Sequence, residues 1–301
     1  MCSTNVDADF DVSGLPCQDM SRNGDRKLRA GTTVAVYMTH AKYHRAKKTP
    51  LLLIECTEDL DMGMIEDNYG DSYDLYQLFM SPSDSGHAGS SRYRTYVICA
   101  HTERTVCLHD PFMLQAVISR KVSSNVATRP SDYLVATQHE VMLDAESVAL
   151  QRRIPFEPGN FDLSYLLTAR ERQSAKDYCE QYRIKFPGRD PEQDEDFCVY
   201  LGDSASNRLT WSAVSNRIPT FRMNSQSGKT FFPMFKRWMV GKERLASLGF
   251  PVHPIMAEAM CTPVVFATDP KRASDLAGNS MHLTTCAAAQ CIALSCFGPR
   301  T

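Results

Sequence analysis

The sequence lacks the marks of several large protein classes. It holds eleven cysteines, an odd count, with no CxxC pair among them, so the thiols do not read as a disulfide framework. Cys286, Cys291 and Cys296 are spaced five apart and drift around a helix, so no metal site is expected there. No secretory apolar segment opens the chain. The longest apolar stretch, 284–297, is interrupted by Thr, Gln and Ser and is too short to span a bilayer. Charge of one sign is also missing: 33 Lys and Arg against 35 Asp and Glu leave a formal net charge of −2. Any attraction to nucleic acid must then come from local basic clusters. No internal repeat or low-complexity tract is present. What remains is 301 residues, 43% hydrophobic and 23% charged, the composition of a soluble globular protein with one large domain or a domain plus a lobe. Reduced thiols and the missing membrane span predict an intracellular protein, nuclear or cytoplasmic, with no membrane partner.

The pattern along the chain predicts an α/β layered domain. A short alternating run, 7–12, leads into Gly14-Leu15-Pro16-Cys17 and reads as a strand delivering a loop. Residues 28–48 have helical spacing, with Val34, Tyr37, Met38 and Ala41 on one face. After Pro50, Leu51-Leu52-Leu53-Ile54 is a continuous apolar run, the mark of a strand buried on both faces. A second amphipathic helix is expected near 73–80, and a hairpin from 94–100 and 104–108 about His101-Thr102-Glu103. From 110 to 216 the texture turns to Ser, Arg, Asp and Gln with recurring prolines, which reads as solvated loops of a small lobe or insertion. Helical spacing resumes over 238–248, stops at Gly249-Phe250-Pro251, and a last Ala-rich helix covers 281–297. Gly278-Asn279 reads as a turn.

Cys17 is the residue best placed for chemistry. It follows a proline, on a loop at the carboxyl end of a strand, where open α/β sheets place ligands. Pro16 fixes its own φ and restricts Leu15, stiffening the loop. A reactive thiolate needs an electropositive setting, for which Arg22, Arg26, Lys27 and Arg29 are candidates. On composition alone Cys17 reads sooner as one of many buried thiols, Glu55 as a cap or ion-pair residue, and Arg92 and Arg94 as surface partners on one strand face.

Taken together, five segments in order resemble the C5-cytosine DNA methyltransferases. Gly14-Leu15-Pro16-Cys17-Gln18-Asp19-Met20-Ser21-Arg22-Asn23-Gly24 is similar to the family's Pro-Cys-Gln loop. Glu55-Cys56-Thr57 resembles its Glu-Asn-Val, and Ser90-Ser91-Arg92-Tyr93-Arg94 its Gln-x-Arg-x-Arg strand. Glu243-Arg244-Leu245 with Gly249-Phe250-Pro251 resembles the helix supporting the target-recognition lobe, and Asp275-Leu276-Ala277-Gly278-Asn279-Ser280-Met281 the Gly-Asn segment closing the cofactor pocket. The resemblance covers most of 7–108 and 215–297.

The resemblance implies a partial Rossmann-like methyltransferase sheet with a smaller, irregular target-recognition lobe. Its division would be 1–110 as partial catalytic core, 111–237 as target-recognition or variable region, and 238–301 as a return to the core. It implies transfer of a methyl group from S-adenosylmethionine to C5 of a cytosine flipped out of DNA, with tRNA as the alternative substrate and a catalytically inactive binding protein as the alternative role. Catalytic residues would be Cys17 as nucleophile at C6, Glu55 at N3, Arg94 at O2 and Arg92 as brace; Pro16, Asn279 and Ser280 would hold the cofactor, and Gln18 and Ser21 the substrate. The sequence departs from the family at Cys56, Thr57 and Ser90, which stand for Asn, Val and Gln. It also carries only about a dozen residues before Gly14, without the family's Gly-rich cofactor turn. The resemblance therefore leaves three expectations open: a sequence short of its N-terminal segment, a truncated pseudo-enzyme, or half of a split enzyme completed by a complementing N-terminal segment or chain.

Overall fold

The computed structural model describes residues 7–21, 26–221, 228–266 and 269–300. In chain order the elements are β1 (Phe10–Gly14), α1 (Val34–Lys47), β2 (Leu51–Thr57), α2 (Met62–Tyr69), β3 (Tyr73–Met80), β4 (Arg94–His101), β5 (Thr105–Cys107), α3 (Pro111–Ser123) and α4 (Gln138–Arg152). There follow α5 (Ala169–Lys185), β6 (Val199–Tyr200), β7 (Thr230–Phe232), β8 (Arg237–Trp238), α6 (Gly241–Ser247), α7 (Pro254–Ala259), α8 (Pro270–Asn279), α9 (Leu283–Cys296) and β9 (Phe297–Pro299). They gather into two units: one from the described residues of 1–85, 92–124 and 284–301, the other from those of 86–91 and 125–283.

The first unit is built on a mixed sheet in the order β1-β2-β4-β3, the expected α/β architecture. β1 runs parallel to β2 and β4 antiparallel to both β2 and β3. All seven residues of β2 are buried, as its unbroken apolar start predicts for an inner strand. Alternation then separates two faces. Leu52, Ile54 and Cys56 join Val97 and Cys99 in a core completed by Tyr37 and Ala41 of α1 and Met64, Ile65 and Tyr69 of α2. On the opposite face the register sets Leu53 against Ile98, Glu55 against Tyr96 and Thr57 against Arg94.

Two expectations are corrected here. Residues 73–80 form strand β3, and the helix lies earlier, at α2. Asp61 caps that helix by accepting from the Met64 amide (3.0 Å), and Gly70 ends it. Adjacent apolar residues, Leu75-Tyr76 and Leu78-Phe79-Met80, break the strict alternation of a strand and satisfy helical spacing by accident. The expected hairpin also fails. Both edges of β4 are already taken by β2 and β3, so after the turn at His101–Arg104 β5 leaves the sheet and pairs with β9.

The second unit is more regular than its composition suggested. Within 110–216, α3 belongs to the first unit, and α4 and α5 form the helical part of the second. α4 and α5 each begin with a capping box, Thr137 with Glu140 and Thr168 with Glu171. Their apolar faces pack with the short sheet β6-β7-β8 around Tyr178, Phe197, Trp211 and Trp238. Charged partners are held inside. Arg152 grips Glu171 through two bonds (2.6 and 2.9 Å), and Arg237 does the same to the fully buried Glu243 (2.8 Å each). Over 238–248, Trp238 ends β8 and the helix begins only at Gly241. Gly278 and Asn279 form the last turn of α8 rather than a loop. Among the described residues no helix is long and apolar enough to cross a membrane.

Candidate active site

β1 ends at Gly14 opposite Glu55, and the Leu15 amide continues the pairing by donating to the Glu55 carbonyl (3.3 Å). The chain then turns through Pro16 and Cys17. The Met20 and Ser21 amides donate to the Cys17 carbonyl (3.0 and 2.8 Å), which winds the loop back on itself. Two anchors hold it. The Tyr37 hydroxyl donates to the Pro16 carbonyl (3.1 Å), and the buried Asp19 carboxylate accepts from the Thr33 amide and hydroxyl (2.9 and 2.6 Å). Those bonds, led by the Thr33 hydroxyl, hold the Asp19 carboxyl below the usual carboxylate range. Cys17 is half-buried between the anchors, with Gln18 exposed beside it.

Glu55 lies on the sheet face away from α1, with its carboxylate 10% exposed and the Arg94 Nε 3.2 Å from Oε1. The contact is an ion pair without hydrogen-bond alignment, because Glu55 Oε1 has no hydrogen-bond partner. Arg94 instead donates from its Nη1 to the Tyr93 carbonyl (2.7 Å). Arg92 is buried with its Nε unpartnered. Burial first, then the neighbouring Arg94 charge, push its guanidinium down to about 10, against the opposing pull of Glu55, Tyr96 and Cys17. The Tyr96 and Thr57 hydroxyls, side by side with Glu55 and Arg94 in the register, are also buried without a partner. Among the described residues of the first unit, every buried side-chain nitrogen or oxygen lacking a hydrogen-bond partner belongs to this patch. Each such atom costs about 1–3 kcal/mol unless something satisfies it. A patch of an acceptor, a guanidinium donor and two hydroxyls fits the mixed donor and acceptor edge of a planar polar ring.

The four expected catalytic residues thus share one unit and one electrostatic neighbourhood. Some supporting expectations do not hold. Arg29, a candidate to polarise the thiol, is committed to Asp61 (2.8 Å) and Asp67 (2.7 Å) on α2. Arg22 lies outside the described residues. Cys56 is not a second nucleophile: burial pushes its thiol up to about 11, and it sits 3.2 Å from the Tyr37 hydroxyl on the core side. Tyr96 was not singled out as a site residue. Period-two spacing from Arg94, opposite Glu55, is the signal that finds it.

No protein-family model matches the chain, and no curated protein matches it in sequence. Solved structures do. The Entamoeba histolytica methyltransferase EhMeth is similar over 95% of this chain and 77% of its own, at 12% identity and a TM-score of 0.52. A putative DNA modification methyltransferase encoded within an Escherichia coli prophage is similar over 97% and 80%, at 13% identity and the same TM-score. The chain has a methyltransferase fold.

That fold implies S-adenosylmethionine, and the residues expected to hold it do not fit the task. The Asn279 Nδ2 donates to the Asp275 carbonyl (3.2 Å) and the Ser280 hydroxyl to the Leu276 carbonyl (2.6 Å), so both side chains are spent on their own helix. The Pro16 carbonyl is already taken by the Tyr37 hydroxyl.

Proposed function

We propose that this methyltransferase-fold chain activates cytosine in DNA for methylation at C5, with Cys17 as the nucleophile. The supporting observation is the group of unpartnered buried polar atoms at Glu55, Thr57, Arg92 and Tyr96 in the neighbourhood of the Cys17 loop. Cytosine C5 is a weak nucleophile because ring aromaticity withholds electron density. Addition of the Cys17 thiolate forms an S–C6 bond and moves an electron pair onto C5, making it enamine-like. Glu55 holds N3, and the Arg94 guanidinium donates to O2, where negative charge develops. Arg92 keeps the patch positive while excluded from water. The base reaches these groups only when extruded from the helix. Gln18 and Ser21 contact the nucleotide from the loop, and the second unit selects the target. S-adenosylmethionine is the methyl donor this reading requires, and no step here is derived through it.

Base activation can be measured without the donor. After Cys17 adds to C6, C5 takes a proton from solvent and then loses its original hydrogen as the S–C6 bond breaks. Duplex DNA labelled with tritium at cytosine C5 is therefore expected to release label to water in the presence of the chain. Cys17→Ser abolishes release, and Glu55→Gln lowers it by about 10²- to 10⁴-fold. No release from DNA or from tRNA, together with no covalent adduct on 5-fluorocytosine DNA supplied with S-adenosylmethionine, rules the reading out. Release from tRNA alone reassigns the substrate.

A further inference from the structure

On the sheet face opposite the candidate active site, β1 and α1 bring together a second group of chemically able residues. Asp11 and Ser13 alternate with Val12, so they face α1, and His40 and His44 lie one helical turn apart on the facing stripe of that helix. The His40 Nε2 is 3.4 Å and the His44 Nε2 3.7 Å from the same oxygen, Asp11 Oδ1. The candidate ligand atoms of the three side chains all lie within 4.8 Å of one another.

The outer side of each ring is fixed by a hydroxyl. His40 Nδ1 meets the Tyr69 hydroxyl at 2.8 Å and His44 Nδ1 the Thr49 hydroxyl at 2.9 Å. On the inner side, His40 Nε2 lies 3.0 Å from the Ser13 hydroxyl oxygen, and Ser13 gives its proton to Asp11 (2.6 Å). Both Nε2 atoms and the Asp11 carboxylate thus converge on one point, with the ring orientations set from behind.

We propose that Asp11, His40 and His44 bind a zinc ion, with solvent as fourth ligand. The spacing favours this ion. Zinc bonds of about 2.0–2.1 Å in a tetrahedron set ligand atoms about 3.3–3.4 Å apart, close to the 3.4 and 3.7 Å from the two imidazoles to the carboxylate, with all three ligand atoms within 4.8 Å of one another. An octahedral ion with bonds of 2.0–2.1 Å would need adjacent ligands at about 2.9 Å. Two imidazoles whose far nitrogens are held by hydrogen bonds, with one carboxylate, form a donor set suited to zinc. The three ligands are 31%, 13% and 7% exposed at the side chain, which leaves one approach from solvent. Bound there, the ion ties α1 to the strand that launches the Cys17 loop.

The test is metal uptake by the full, chelator-stripped and reduced chain. One Zn²⁺ per chain is expected by equilibrium dialysis, with a rise in the thermal midpoint. Co²⁺ in its place should show the visible bands of a tetrahedral site and no thiolate charge-transfer band. Asp11→Asn and His40→Gln are each expected to weaken uptake at least tenfold while the metal-free circular dichroism stays native. Ser13→Ala, which removes no ligand, keeps it. No stoichiometric uptake by the unsubstituted chain overturns the proposal. A thiolate band, or uptake unchanged in both ligand variants, overturns it too.

Discussion

Arg92 and Thr57 keep buried polar atoms unpaired, and single substitutions should separate what this does for stability from what it does for binding. Thr57→Val removes a hydroxyl without a partner and changes shape little. It should stabilise by about 1 kcal/mol, which raises the thermal midpoint by about 2–4 °C, as calorimetry would read it. The same variant should release tritium from cytosine C5 more slowly. Arg92→Met removes a desolvated cation and should leave the fold intact, while lowering exchange by at least tenfold. A stable Arg92→Met chain with unchanged exchange would show that this arginine takes no part in base activation. Tyr37 bridges loop and core, bonding to the Pro16 carbonyl on one side and facing the Cys56 sulfur on the other. Its hydroxyl links the Cys17 loop to the packing beneath it.

Among the elements, strands with one clear burial pattern were readable and those with two were not. β2 announced itself because seven consecutive buried residues need an apolar run. β3 did not, because its adjacent apolar residues erase the alternation that distinguishes strand from helix. The Cys17, Glu55 and Arg94 placements were legible through ordered motifs, since each motif ends or starts a strand of one sheet. Tyr96 and the Asp19–Thr33 anchor were hidden, because they depend on which residues the register and a loop bring together. The helices of 110–216 were obscured by their polar exposed faces, although Thr137-x-x-Glu140 and Thr168-x-x-Glu171 are capping boxes readable in the chain. Thr168→Ala is expected to cost about 1 kcal/mol, and Glu171→Gln about 3 kcal/mol, because the second leaves Arg152 half-buried without its charge partner. Urea denaturation measures both. Equal costs would mean that Arg152 finds another acceptor.

For the molecule as a whole, acid should act through histidines that fold in a neutral state. Burial lowers His44, His87 and His101, and His87, held against the Tyr133 hydroxyl (3.0 Å), falls to about 4. In the unfolded chain these rings protonate near 6.5, so between that pH and about 4 the unfolded state binds more protons than the folded state. Stability is then complete above about pH 6.5 and declines as pH falls toward 4, with His87 alone contributing up to about 3 kcal/mol. Urea midpoints from pH 7.5 to 4.5 should follow this slope, and His87→Gln should flatten it; a slope unchanged in His87→Gln would assign the acid sensitivity to other groups. The pairing of β2 with β4 has a consequence of another kind. Odd-numbered residues of β2 carry the candidate chemistry and even-numbered ones the core, and on the antiparallel partner strand the parity is reversed, with Arg94 and Tyr96 on the chemical face and Val97 and Cys99 in the core. A one-codon insertion inside either strand would exchange the two sets, turning Arg94 or Glu55 into the oil and a leucine toward the base. Evolution can lengthen the loops of this sheet by any amount, but these two strands tolerate edits only in steps of two.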